Sequence, residues 1–161
     1  MHPLASAFRS SLHRALDDLK NVLTGLPDAA VDWSPLPGLN TIGVLARHSL
    51  SAAAFLVDTA TGRAPDRVAY FEGPRAQSFR THGVPAATLA AEVDEASARF
   101  DAALAVASEE ALLAPAPWSM PDGATLNGAE LLFLAVGHVK EHVGHAQIMR
   151  DLWLANSREG H

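Results

Sequence analysis

The chain has 161 residues, 48% of them hydrophobic and 19% charged, with a formal net charge of −6 and no cysteine. That length and balance fit one globular domain spanning residues 1–161, large enough to enclose a core without disulfides. The negative charge and the lack of a basic run argue against nucleic acid as a partner. The absence of cysteine excludes thiolate nucleophiles and thiolate metal ligands, and no apolar stretch approaches the ~20 residues that span a membrane. With neither a membrane segment nor the basic-then-apolar plan of a signal peptide, the expected compartment is the cytoplasm.

Leu4, Phe8, Leu12, Leu16, Leu19 and Leu23 recur at three- and four-residue steps and predict a first helix ending near Gly25. The proline-rich stretch from Pro27 to Gly38 reads as an irregular connection anchored by Trp33. Asn40 or Thr41 then caps a second helix through Ile42, Leu45, His48, Ala52, Phe55 and Leu56, with Gly62 as its stop. Arg63 to Val84 turns to Gly, Pro, Arg and isolated aromatics, a length suited to a crossover along a bundle and able to cover a site.

A third helix is expected from about Pro85, with Leu89, Val93, Ala96, Phe100 and Leu104 on one side, fading by Ser108. Pro115, Pro117 and Pro121 forbid a continuous helix from Glu109 to Asp122, leaving room for one turn over Glu110 to Leu113. Asn127 caps a fourth helix in which Leu131, Leu134, Val136, Ile148 and Leu152 carry an amphipathic pattern to about Ala155. No strand pattern competes, so the fold class is all-α.

Three of the eight histidines, His138, His142 and His145, fall in the fourth helix at spacings of four and three. At ~100° per residue they share one narrow stripe, which Leu134 and Met149 extend and which is expected to face the core. Two imidazoles one turn apart can chelate one ion at ~2.0–2.1 Å. His48, on the inward face of the second helix, is the candidate for a third ligand. Buried together without a partner, these imidazoles would cost several kcal/mol of desolvation, at about the level set for unpaired polar groups. His145 is a hydrogen-bond partner of the ligands first, and otherwise a fourth ligand or a proton-transfer group. His13 is expected at the surface. His82 lies in a loop with no informative spacing, and His2 and His161 are terminal.

Trp33-Ser34-Pro35-Leu36-Pro37-Gly38 leading to Asn40-Thr41-Ile42-Gly43 and His48, followed by His138-Val139-Lys140-Glu141-His142 and Gly144-His145-Ala146-Gln147-Ile148, resembles the DinB-like, or YfiT-like, superfamily of metal-dependent hydrolases and thiol transferases. The resemblance runs over essentially the whole length and is most specific at the histidines. It implies a four-helix bundle in up-down-down-up order, commonly a homodimer, with a metal held by one histidine of the second helix and two residues of the fourth. By position these are His48, His138 and His142, the residues already chosen from spacing. Zinc or nickel is the metal implied. A low-molecular-weight thiol such as mycothiol or bacillithiol is the implied co-substrate, and its sulfur would replace the cysteine this chain lacks.

The function expected is therefore a metal-dependent enzyme that activates such a thiol, or water, for transfer or hydrolysis on a small molecule, with His145 as a possible acid or base. Arg47, Arg75 and Arg80 are candidates to bind an anionic thiol. Tyr70, Phe71, Phe79 and Trp118 either line a pocket or seal the bundle ends, sealing being the expected role, and Trp153 is a candidate dimer contact. The alternatives are a non-catalytic metal-binding bundle and a metal-free bundle whose histidines hydrogen-bond one another.

Overall fold

Each long helix is delimited by local chemistry at its ends. The computed structural model describes residues 1–63 and 65–159, so His161 lies outside the described residues. Helix α1 (Pro3–Leu23) begins on a proline, whose missing N–H costs nothing in the first turn, and His2 Nδ1 accepts from the Leu4 amide at 3.2 Å. Its buried Leu12, Leu16, Leu19 and Leu23 are the predicted apolar positions, and Gly25 then turns the chain at φ 70°.

The Pro27–Gly38 connection is less irregular than expected, because it holds a short helix α2 (Asp28–Val31). Asp28 also reaches out of that helix: its Oδ1 accepts from the Ala86 amide at 2.9 Å and so caps a distant helix start. Trp33 packs part-buried against the core, as its anchoring role requires. Helix α3 (Ile42–Ala60) is capped by Thr41, whose Oγ1 accepts from Val44 N at 3.3 Å. It buries Ala46, Ser49, Ala53 and Ala60, small side chains that let a neighbouring helix approach closely.

The crossover is largely helical. Helix α4 (Arg67–Tyr70), capped by Asp66, runs into a π-helical turn (Phe71–Arg75) and then α5 (Ala76–Ser78). Pro74 explains the wide turn, since it has no N–H to give the Tyr70 carbonyl four residues back and its ring forces that carbonyl away. Helix α6 (Ala86–Ala105) buries Leu89, Val93, Phe100 and Leu104, and the single turn α7 (Glu109–Leu113) is capped by Ser108. Residues 114–127 double back, with Ala116 N donating to Leu126 O at 2.8 Å and an isolated bridge between Pro115 and Asn127, but there is no strand among the described residues.

Helix α8 (Gly128–Glu159) outlasts its expected end at Ala155 by one turn. It opens on a reciprocal cap: Asn127 Oδ1 accepts from Glu130 N at 3.0 Å, and Glu130 Oε2 accepts from Asn127 N at 2.8 Å.

Side-chain ties fix how the four long helices run. Arg9 and Lys20 of α1 pair at 2.7 Å with Asp101 and Asp94 of α6, so these two are antiparallel. Arg47 with Glu92 and Asp58 with Arg99 give α3 and α6 a common direction. Lys140 pairs with Asp18, and Arg150 donates at 2.7 Å to the Asn21 and Val22 carbonyls, so α8 follows α1 and its guanidinium neutralises the negative end of the α1 dipole. Where α8 meets α3 the direction reverses: His48 sits beside His138 and His142, while the Ala60 carbonyl abuts Gly128. The result is an all-α four-helix bundle with its core between α1, α3, α6 and α8. No helix among the described residues is long and apolar enough to cross a membrane.

Candidate metal centre

The small residues of α3 and the buried Ala135, Val139 and Ala146 of α8 bring these two helices close, and the histidines lie along the edge of that contact. His138 and His142 flank the buried stripe of α8, half-buried, and His145 is exposed. The stripe that faces the core runs through Leu131, Leu132, Ala135, Val139, Ala146 and, as expected, Met149, which leaves Ile148 and Leu152, expected inside, 58% and 45% exposed. The expectation that all three histidines share the core-facing side is thus corrected. The stripe is rotated by part of a turn, because Leu132 and Val139, not the histidines, fill the bundle interior.

His48 is 7% exposed and its ring centroid lies 5.1 Å from those of both His138 and His142. One nitrogen from each of the three rings falls within 4.8 Å of the others. His138 Nε2 and His142 Nε2 stand 3.2 Å apart. Two nitrogens bound at ~2.0–2.1 Å to one tetrahedral ion would stand about 3.3–3.4 Å apart, so the pair already has the separation of a chelate. The donor set fits as well: imidazoles alone, with no thiolate, suit zinc and nickel alike.

Burial first, and then the neighbouring His138, His142 and Arg75, push His48 down from 6.5 to about 4. Burial also pushes His142 down to about 4, with His138 adding to it, and lowers His138. At neutral pH the rings are therefore uncharged and present lone pairs. Ser78 of α5 orients one of them. Its hydroxyl donates to the Arg75 carbonyl at 2.7 Å, so towards His48 Nδ1, 3.4 Å away, it acts as acceptor. That places the His48 proton on Nδ1 and leaves Nε2 free to ligate. His142 Nδ1 is buried without a partner.

Beside the triad opens a cavity of about 340 Å³ lined by His48, His138, Phe55, Tyr70, Phe71 and Trp118, among others. Tyr70, Phe71 and Trp118, expected to seal the bundle ends, therefore line a pocket, because the π-helical turn carries the crossover over the site. Phe79 packs against the His48 ring in a tilted arrangement, with centroids 4.4 Å apart. Of the arginines singled out from sequence, Arg75 lines this cavity, Arg80 is exposed, and Arg47 is held by Glu92 (Nε to Oε2, 2.9 Å) on the wall of a second cavity of about 560 Å³. Arg67, which the sequence did not flag, lines the triad cavity too.

The His145 ring centroid is 5.9 Å from that of His142. The remaining histidines lie elsewhere. His13, expected at the surface, is half-buried between Asp101 Oδ1 (2.6 Å) and Ser97 Oγ (3.2 Å), and His82 pairs with Asp32 at 3.2 Å.

Fold and site together define an all-α bundle whose histidines can hold one metal ion beside an open pocket. The sequence profile of the DinB superfamily matches residues 11–146, and the chain belongs to that superfamily. Among solved structures it is similar to the mycothiol-dependent maleylpyruvate isomerase, at 20% identity and a TM-score of 0.64, and to a histidine-to-alanine variant of that enzyme at 19% and 0.64. Each match covers 88% of this chain but 60% of the other, so the chain spans about three-fifths of that enzyme's length and shares its fold over that part. No curated protein matches the chain significantly.

Proposed function

We propose that this protein is a divalent-metal-dependent enzyme that activates a low-molecular-weight thiol or water for transfer or hydrolysis on a small molecule, with His48, His138 and His142 as ligands of zinc or nickel. The observation that carries the reading is the convergence of three neutral imidazoles at the edge of a cavity large enough for a small substrate. Three protein ligands leave room for a further one, the arrangement of catalytic and not of closed structural sites. When bound, such an ion lowers the pKa of a thiol or water to near neutrality.

The chain's own groups do the rest. Ser78 holds the tautomer of His48, and Phe55, Tyr70, Phe71 and Trp118 supply apolar walls to the pocket. His145, exposed with its ring centroid 5.9 Å from that of His142, acts as the acid or base. Mycothiol and bacillithiol are the thiols considered. Similarity of fold to a mycothiol-dependent enzyme supports the first. We read the assembly as a homodimer, for which exposed Ile148 and Leu152, one turn apart on α8, supply an apolar surface next to part-buried Trp153. A monomer in sedimentation equilibrium at micromolar concentration would contradict that part.

Cobalt(II)-substituted protein tests the enzymatic reading directly. Its visible absorption should change on addition of a small thiol, because an open coordination position accepts the sulfur. Bands unmoved by thiols and small anions would mean a closed site and a structural ion.

A further inference from the structure

The triad cavity has a charge imbalance that metal binding does not use. Arg67 and Arg75 both line it, no aspartate or glutamate does, and neither arginine is in a salt bridge with any described residue. Elsewhere four arginines of this acidic chain are matched with carboxylates, Arg9 with Asp101, Arg47 with Glu92, and Arg63 and Arg99 with Asp58, while Arg14, Arg80 and Arg150 are in no salt bridge with a described residue but line neither cavity. Arg67 and Arg75 are instead held by rings. Arg67 Cζ lies 5.2 Å from the Trp118 ring centroid and 5.5 Å from that of Phe71, and Arg75 Cζ lies 5.1 Å from both Phe71 and Phe79. Arg67 Nη1 also donates to the Ser119 carbonyl at 3.1 Å. The rings hold the guanidinium groups at the cavity while the N–H groups not given to the Ser119 carbonyl remain to receive a carboxylate.

Trp118, whose ring lies under the Arg67 guanidinium, also has its indole N–H buried with no partner among the described residues. A bound divalent ion would add to an already positive wall. Much of the remaining lining is apolar: Phe55, Leu56, Phe71, Leu134.

We propose that this cavity takes a small organic acid, its carboxylate received by Arg67 and Arg75 and its apolar body by Phe55, Leu56 and Trp118. This rests on the metal-centre reading only for the extra charge an ion contributes. The π-helical turn is the device that makes it possible, since it brings Phe71 and Arg75 to the mouth of the site while α4 supplies Arg67.

Titration calorimetry with matched pairs of acid and neutral amide tests the inference: phenylacetate against phenylacetamide, and succinate against succinamide. In the wild type, at least one acid should bind about tenfold or more tightly than its amide, as expected when charge-assisted hydrogen bonds are gained. The preference should fall about tenfold in Arg67→Gln and in Arg75→Gln, each checked for an unchanged far-ultraviolet spectrum, and stay intact in Arg80→Gln. It should persist, weakened, in chelator-treated protein. Equal binding of every acid and its amide overturns the proposal without any variant. A preference that survives both substitutions, or that vanishes with the ion alone, overturns the role of the arginines. Metal-bearing protein with no acid preference would refute this inference and leave the metal centre, whereas metal-free protein that still prefers acids would do the reverse.

Discussion

Ser78 and His145 both neighbour the triad, and their contacts assign them different duties. Ser78 accepts from His48 and sits on the crossover, so Ser78→Ala should leave the fold intact and weaken metal affinity by about tenfold, the lower end of what loss of an orienting partner costs. Competition with a chromophoric chelator measures it. His145 is exposed and one helical step beyond the close pair, so His145→Ala should keep the full metal content while His142→Ala loses it. Loss of the ion from both variants would make His145 a ligand. At this scale the sequence was informative where spacing encodes geometry: the four-residue step brings His138 and His142 together on any helix, and His48 is the one histidine of the facing helix. It was silent about Ser78 and Arg67, because nothing in periodicity says where a crossover lays its side chains.

Among the elements, α8 depends on a close approach at its first residue. A Cβ on Gly128 would stand 2.6 Å from the Ala111 carbonyl oxygen, 2.7 Å from that of Ala60 and 2.9 Å from Leu112 Cα, all of them backbone atoms that cannot yield separately. Gly128→Ala should therefore cost about 1–3 kcal/mol, the range of overpacking, and thermal denaturation will read it.

Asp101 ties α1 to α6 through Arg9 and His13, and the Arg9 guanidinium, followed by His13, holds its carboxyl below the usual 3.8. The unfolded chain binds that proton more readily, so the pair's stabilisation is present above about pH 4 and is lost as the pH falls through the folded value. Asp101→Asn should lower Tm at pH 7, and the gap to the wild type should narrow below about pH 4. A gap independent of pH would mean that packing, not charge, is lost.

Helices α1, α3, α6 and α8 were legible because each buries a face at helical period. The crossover was legible from its length but its helical turns were not, since Gly73 and Pro74 are ordinary helix breakers and here produce a π turn in place of a break. The face of α8 was misjudged because its apolar residues lie all round it, and Phe133, Ile148 and Leu152 stay exposed.

On the scale of the whole molecule, composition and charge set the class, the helical periods set the bundle, and one facing pair of helices sets the site. The cavity that gives the site its use arises from the crossover and the 114–127 loop folding over that pair, so it could be seen only in three dimensions. A bound ion is what would turn this histidine cluster into a reactive centre. Elemental analysis of protein purified without an affinity tag, beside the His142→Ala variant, should find about one equivalent of zinc or nickel in the wild type and little in the variant. A wild type that carries no transition metal, and whose Tm does not rise when zinc or nickel is added, would contradict metal-dependent chemistry and leave a bundle whose histidines serve only its packing.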